Sequence, residues 1–411
     1  MIAYHFPPMA GSSGIQRTLG FARELPTFGW QPQVLTVTRR AYERISPDLL
    51  PQIPPDMAVT RAFALDARRH LSLFKHYPGW AARPDRWLTW LLGAIPAGLH
   101  MIRERRPDVL WSTYPVPTAH LIGYWLSKLS GIPWVADFRD PMAHEGYPAE
   151  PKLWRSFLRT EQRVFSLARQ IVVTTPGAAR LYRGRYPEAA ERIGVVENAC
   201  DETVFAELEG SLLRRPLNPG CITLLHSGVV YPEWRNPAAL FAAVRQLIDQ
   251  GHVDAARLRL RFRAPENGGF VAQLAATCAL STIVEVLSPI DYRDALAEMM
   301  CSEGLIVLQS AGCNDQIPAK LYEYLRADRP ILGLTAHAGD TAQALRNAGM
   351  ANIAELESVA ETADALLRML SQIATGRNGP PDANPARFGS RRDRAHELAR
   401  LLEPLCPAQA R

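Results

Sequence analysis

The sequence predicts an α/β protein built from two doubly wound, Rossmann-like parallel sheets in tandem. Three observations carry this reading. Short apolar runs rich in Val, Ile and Leu alternate with segments of helical periodicity, the pattern of an open parallel sheet covered by helices. The alternation breaks over residues 206–221, which lose periodicity and carry Pro216, Pro219 and Gly220. It then restarts and closes in two helical stretches. With 411 residues, 47% of them apolar, the chain can form two domains of about 200 residues, each with its own core.

The elements follow in order. IAYHF is a short first strand, and GIQRTLGFAREL a helix with Ile15, Leu19, Ala22 and Leu25 on one side. PQVLTV is a second strand. Then come DVLWST, a helix through AHLIGYWLSKLSG, the strand PWVADF, a helix over 151–168, the strand QIVVTT, a helix from Gly177 and the strand IGVVEN. Beyond the break stand ITLLHSG, a helix through PAALFAAVRQLID, RLRLRF, TIVEVL, a helix through YRDALAEMM and GLIVLQS. A helix from about Pro318, the short buried strand ILGL, a helix through TAQALRNAG and helices near 357–372 and 389–403 complete the chain. The expected division is 1–205, a linker 206–221, 222–380, and 381–411 as a C-terminal helix packing back on the first half.

Composition excludes several classes. No run of 18 apolar residues reads as a membrane span, and MIAYHFPPMAG lacks the build of a signal peptide, so a cytoplasmic protein is expected. The six cysteines are scattered, with no C-x2-C pair and no histidine at ligand spacing, which argues against structural zinc and a disulfide framework. A net charge of +5 without a recognisable module argues against nucleic-acid binding. Neither first strand is followed by G-x-G-x-x-G with an acid about 20 residues on, which disfavours a dinucleotide oxidoreductase. Lys152, Arg155, Arg159 and Arg163 share a helix face, either solvated or able to meet an anionic membrane surface. Trp80, Trp87 and Trp90, among arginines, suit core packing or a membrane interface.

The segment NDQIPAKLYEYLRADRPILGL is the most informative. Asp315 stands eight positions before Glu323, on a loop and helix leading to a strand. A helix N-terminus attracts a diphosphate, and a carboxylate about a turn and a half further along can accept two hydrogen bonds from a ribose diol. This segment resembles the retaining GT-B glycosyltransferases of family 4, whose signature is an acid, seven residues, then Glu, followed by "PVI"; the usual first acid is Glu, and here it is Asp315. The resemblance implies that Glu323 holds the donor ribose and that Asp315 approaches the transferred sugar.

Further stretches carry the resemblance across most of the chain. YHFPPMAGSSGIQR is similar to the family's opening, with Gly11, Gly14 and Arg17 on the acceptor side, and homologues carry a few more apolar residues ahead of it. GIPWVADFRDPM resembles a "DxRD" strand end in which Asp137 and Arg139 face the acceptor, and Asp140 orients its hydroxyl or takes its proton. An ion-pair knot is the alternative. Ser112 and Thr113 belong to the neighbouring strand end, and His120 reads as a packed histidine. VVENACDETVF resembles the family's "NGxDxxxF" turn through Asn198, Asp201 and Phe205. LLHSGVVYPEWR is similar to the loop that opens the donor domain, which implies His226, Ser227 and Gly228 around the diphosphate. Ile317, Pro318 and Lys320 complete the donor side. Val229 stands where the family has Arg, and Arg235 and Lys320 are expected to supply the charge.

The resemblance thus implies a GT-B protein with a cleft between its halves and a retaining glycosyltransferase needing no metal or other cofactor. Its donor is a nucleotide-sugar, and its acceptor a glycan or lipid-linked glycan of cell-surface polysaccharide. The catalytic set would be Asp315, Lys320, Arg235 and Asp140. A small-molecule or protein acceptor, or a noncatalytic nucleotide-binding partner of a polysaccharide-assembly complex, are the alternatives.

Overall fold

The computed structural model describes residues 1–12, 14–72, 77, 79–144, 146–376 and 389–406. The chain divides into two compact units: Met1–Asn198 together with Arg391–Arg411, and Ala199–Ser390.

The first unit contains β1 (Val34–Val37), β2 (Val59–Ala62), β3 (Leu110–Thr113), β4 (Trp134–Arg139), β5 (Gln170–Val173) and β6 (Ile193–Val195). Its helices are α1 (Gly14–Glu24), α2 (Ala67–His70), α3 (Trp90–Arg105), α4 (Pro117–Ser130), α5 (Pro151–Leu167) and α6 (Pro176–Arg185). Strands β3 to β6 pair in parallel in sequence order, β1 pairs with β2, and Ile2 bridges β1 to β3. The expected first strand IAYHF is thus reduced to one bridging residue. Its backbone still serves both neighbours, with Ile2 N–H donating to Trp111 O at 2.7 Å and Ala3 N–H to Leu35 O at 3.1 Å.

Successive residues of a strand face opposite sides of a sheet, and the cores divide accordingly. Leu110, Trp134, Ala136 and Ile171 pack under α3, α4, α5 and α6, whereas Trp111, Val135 and Val172 pack on the other face. There they meet Phe21 of α1 and Ala395, Leu398 and Leu402 of a helix over Arg391–Leu402, which belongs to this unit. The expected boundary at 380/381 lies outside the described residues. Trp90 is fully buried, and Trp87 lies 4.4 Å from the Tyr4 ring, so the aromatic stretch builds the core; the side chain of Trp80 is outside the description.

The second unit begins with α7 (Glu202–Ser211), followed by β7 (Ile222–Ser227), α8 (Ala238–Asp249), β8 (Leu258–Arg263), α9 (Gly268–Thr277) and β9 (Val284–Leu287). Next come α10 (Tyr292–Cys301), β10 (Gly304–Gln309), α11 (Lys320–Arg326), β11 (Ile331–Thr335), α12 (Asp340–Asn347), β12 (Ile353–Ala354) and α13 (Val359–Ala374); the helix Arg391–Leu402 is α14. The expected linker 206–221 is corrected: its first residues are helical. Asp201 caps α7 by accepting from Val204 N–H, and Phe205 and Leu208 are buried. Only residues 212–221, with Pro216 and Pro219, are irregular.

The sheet of this unit runs β12-β11-β10-β7-β8-β9, all parallel. Strand order reverses between β7 and β10, and a doubly wound sheet opens a ligand crevice beyond the strand ends at such a point. Leu224, Phe262 and Ile306 pack against α8, α9 and α13, and Leu225, Leu305 and Val307 against α7, α10 and α11.

Candidate functional site

At the reversal point of the second unit, β7 ends in His226 and Ser227. Gly228 follows at φ 110°, a conformation open to glycine, and a Cβ there would come within 3.0 Å of Lys320 Nζ. The Lys320 ammonium lies 3.1 Å from His226 Nε2, and His226 Nδ1 lies 3.0 Å from Ile306 O. A carbonyl only accepts, so Nδ1 carries the proton and Nε2 accepts from Lys320: the imidazole is neutral. Burial, and then the adjacent Lys320, hold the His226 pKa well below the ordinary value. Burial and then Arg235 likewise press Lys320 well below its ordinary value, with Glu323 opposing the shift.

Arg235 donates to Val229 O at 3.3 Å and lies over the Tyr231 ring at 5.3 Å. Among the described residues, no carboxylate forms an ion pair with Lys320. An ammonium, a guanidinium and a neutral imidazole around a bare glycine make a site for an oxyanion. The Ser227 N–H is already engaged, donating to the Tyr324 hydroxyl at 2.8 Å.

The loop before α11 is pinned rather than loose. Gln309, at the end of β10, donates to Cys313 O at 2.9 Å and to Gln316 O at 2.8 Å; Thr341 also donates to Gln316 O. That loop carries Asp315, half-buried, and leads into buried Ile317 and Pro318. The helix itself starts at Lys320, two residues after the expected Pro318, following a turn in which Leu321 N–H donates to Pro318 O. Glu323 accepts from the Tyr292 hydroxyl at 2.9 Å. Motif spacing could not have given Tyr292 or Gln309, because each reaches the site from another element; Tyr324 stands on the motif helix itself, and its bond to Ser227 N–H was not legible there. Gln309 did leave one signal, as a polar residue ending an apolar strand.

The first unit divides its expected acceptor residues into two sets. Arg17 is spent internally: its guanidinium meets Asp137 in two bonds, Nε–Oδ2 at 3.0 Å and Nη2–Oδ1 at 2.9 Å, and also donates to Val196 O and Glu197 O. Thr113 donates to the same Asp137 carboxylate at 2.8 Å. Ser112 accepts from Trp134 Nε1 and bonds His120 Nδ1, both at 2.8 Å. Arg17, Ser112, Thr113 and Asp137 are all buried, and Arg17, Thr113 and Asp137 form a structural ion-pair cluster; the expected alternative, Arg139 knotted between Asp137 and Asp140, is not formed among the described residues. His120 is likewise packed, its pKa lowered to about 3 by burial.

The other set lies at the strand ends. Arg139 closes β4, Asp140 is partly exposed beside it, and Gly14 opens α1 so close to them that a Cβ would collide with Arg139 Nη1 and His5 Nδ1. Gly11 turns at φ 81°, and a Cβ there would lie in ordinary contact with Arg44 Nη1 at 3.8 Å. His5, which sequence reasoning passed over, bonds Ser12 Oγ at 2.8 Å, and burial followed by Arg139 lowers its pKa to about 3 although the residue keeps some surface.

Comparison with known proteins agrees with this architecture. Residues 13–199 match the glycosyl transferase 4-like domain. No curated protein matches the sequence. Among solved structures, sucrose-phosphate synthase from Thermosynechococcus elongatus is similar at 14% identity and TM-score 0.69, covering 98% of each chain. HepE of Anabaena in complex with UDP matches at 12% identity and TM-score 0.66, again over 98% of each chain. A UDP-forming α,α-trehalose-phosphate synthase from Burkholderia xenovorans matches at 14% identity and TM-score 0.68 over 99% of each. At such identities the structural likeness carries the fold, and the domain match speaks for residues 13–199. The chain has the fold of these GT-B glycosyltransferases, and its residues 13–199 are similar to the glycosyl transferase 4-like domain.

Proposed function

We propose that this transferase moves a sugar from a nucleotide-sugar to a carbohydrate or lipid-linked acceptor in cell-surface polysaccharide synthesis, with retention of anomeric configuration. The carrying observation is the Lys320 ammonium beside neutral His226 and bare Gly228, with Arg235 near and, among the described residues, no carboxylate in an ion pair with it. Lys320 and Arg235 would neutralise the departing diphosphate, so side chains supply the charge and no metal is required. Glu323, oriented by Tyr292, would accept both ribose hydroxyls. Asp315 would lie against the transferred sugar, and Asp140 would orient the acceptor hydroxyl or take its proton. Attack from the face the leaving group vacates fits the absence of a named nucleophilic carboxylate in this reading.

Lys152, Arg155 and Arg159 are exposed on α5, as is Arg163, and none has an ion-pair partner among the described residues. They support contact with an anionic membrane surface near which a lipid-linked acceptor would sit. Among the described residues, no helix is long and apolar enough to cross a membrane.

The deciding test is thermal stabilisation of the full chain by UDP-, GDP-, dTDP- and ADP-sugars, followed by NMR of the product anomer. One donor should raise the melting temperature in wild type and fail to do so in Lys320→Ala. Binding without turnover across an acceptor panel would favour the noncatalytic partner, and no response to any donor would overturn the reading.

A further inference from the structure

Arg139 is a buried charge in the first unit that the fold leaves unpaired among the described residues. It is 8% exposed, its Nε is buried without a hydrogen-bond partner, and its guanidinium makes no hydrogen bond or ion pair among the described residues. A buried guanidinium without an acceptor is costly, and a specific unsatisfied group in a folded protein calls for an explanation. The neighbouring Arg17 has five oxygen partners, so local acceptors were available to an arginine and Arg139 is held away from them.

The backbone adds a second, independent observation. Arg139 has φ 57°, left-handed for a residue with a side chain, at a break in the β4–β5 register between Asp137 and Arg139. Strained backbone of this sort collects at ligand sites. The location is a third. Ile2 bridges both β1 and β3, so strand order reverses there; His5 and Gly14 follow that bridge, and Arg139, closing the next strand β4, comes close to both. Asp140 and Asp137 act on Arg139 from beyond ion-pair distance, and Arg17 opposes them.

We infer that Arg139, facing His5 across Gly14, forms an oxyanion subsite that receives a phosphate or carboxylate of the acceptor. A planar guanidinium with free donors matches either group in two parallel bonds. This narrows the acceptor of the proposed function to an anionic glycan or glycolipid, and it rests on that reading only for the word acceptor. The anion could otherwise come from the donor's diphosphate, so the test separates the two sources.

The full chain is titrated with inorganic phosphate and with UDP, read by thermal shift, in wild type, Arg139→Gln, Lys320→Ala and the double variant. Lys320→Ala should lose the UDP response and keep part of the phosphate response. Arg139→Gln should keep the UDP response within about twofold, and the double variant should answer to neither. A phosphate response unchanged by Arg139→Gln in the Lys320→Ala background overturns the subsite. Loss of the UDP response in Arg139→Gln overturns the acceptor assignment, since the anion would then be the donor's. If wild type ignores UDP while its phosphate response depends on Arg139, the donor reading fails and the subsite stands. Unliganded Arg139→Gln should melt no lower than wild type, because it removes an unpaired buried charge; a clearly lower melting temperature would make Arg139 structural and sink the inference. Arg139→Lys should retain a weakened phosphate response.

Discussion

Both units gather charge at the C-terminal ends of central strands, and they treat it in opposite ways. In the first, Arg17 and Asp137 close on each other in a two-bond pair, with Thr113 and two backbone carbonyls completing the shell. In the second, Lys320 and Arg235 stand together with no carboxylate in an ion pair to either among the described residues, and a histidine is kept neutral beside the ammonium. A satisfied pair fixes a fold, whereas like charges held together store unfavourable energy that an arriving anion relieves. Charge at a strand end is thus not itself a sign of function; the missing counter-charge is.

The largest expected effect tests the paired side. Asp137→Ala strands Arg17 in the interior and should cost about 3–5 kcal/mol of unfolding free energy by denaturant titration. A loss below about 1 kcal/mol would mean the pair is dispensable and the contrast is wrong.

Next is Lys320→Ala, which should lower the transfer rate roughly 10²–10³-fold, the usual cost of removing one stabiliser of developing anionic charge. Its unfolding free energy should hold or rise. A variant that loses stability instead would make Lys320 a second structural cation.

Proton linkage sharpens the same point. The Lys320 pKa in the free protein lies well below its ordinary 10.5, so between the depressed value and 10.5 the unfolded chain binds more protons and stability rises with pH. A bound diphosphate restores the proton. UDP binding in that window should therefore take up a proton, giving a calorimetric enthalpy that changes with buffer ionisation in wild type and not in Lys320→Ala.

The smaller effects concern the ribose. Glu323→Gln should weaken UDP about tenfold and leave inorganic diphosphate unaffected, as expected for a hydrogen bond to a charged group. Tyr292→Phe, which removes only the bond orienting that carboxylate, should weaken UDP about threefold.

The comparison also explains what the sequence could and could not reveal. Alternating apolar runs located most strands and helices because local periodicity determines them. The first strand shrank to Ile2 because its hydrogen bonds are shared between two neighbours, which no local pattern records. The start of the supposed linker proved helical because tertiary packing buries Phe205 and Leu208, whereas the Pro-rich sequence that follows dominates the local signal. In the site, Lys320, His226 and Arg235 were legible as motif positions. The fate of Arg17 was not, because its partner Asp137 lies 120 residues away. Arg139 shows the same limit from the other side: its identity is in the sequence, but being left without a partner among the described residues is a property of three dimensions.

The return of α14 to the first unit has a consequence for biosynthesis. Phe21, Trp111, Val135 and Val172 share an apolar core with Ala395, Leu398 and Leu402, yet the ribosome must translate residues 199–390 between the two groups. At about 5–20 residues per second, that gap lasts on the order of ten to forty seconds. During that time the nascent first unit presents an uncovered greasy sheet face while the second unit can already fold. Order of emergence and order of completion are thus reversed: the half that is made first is the half that is finished last.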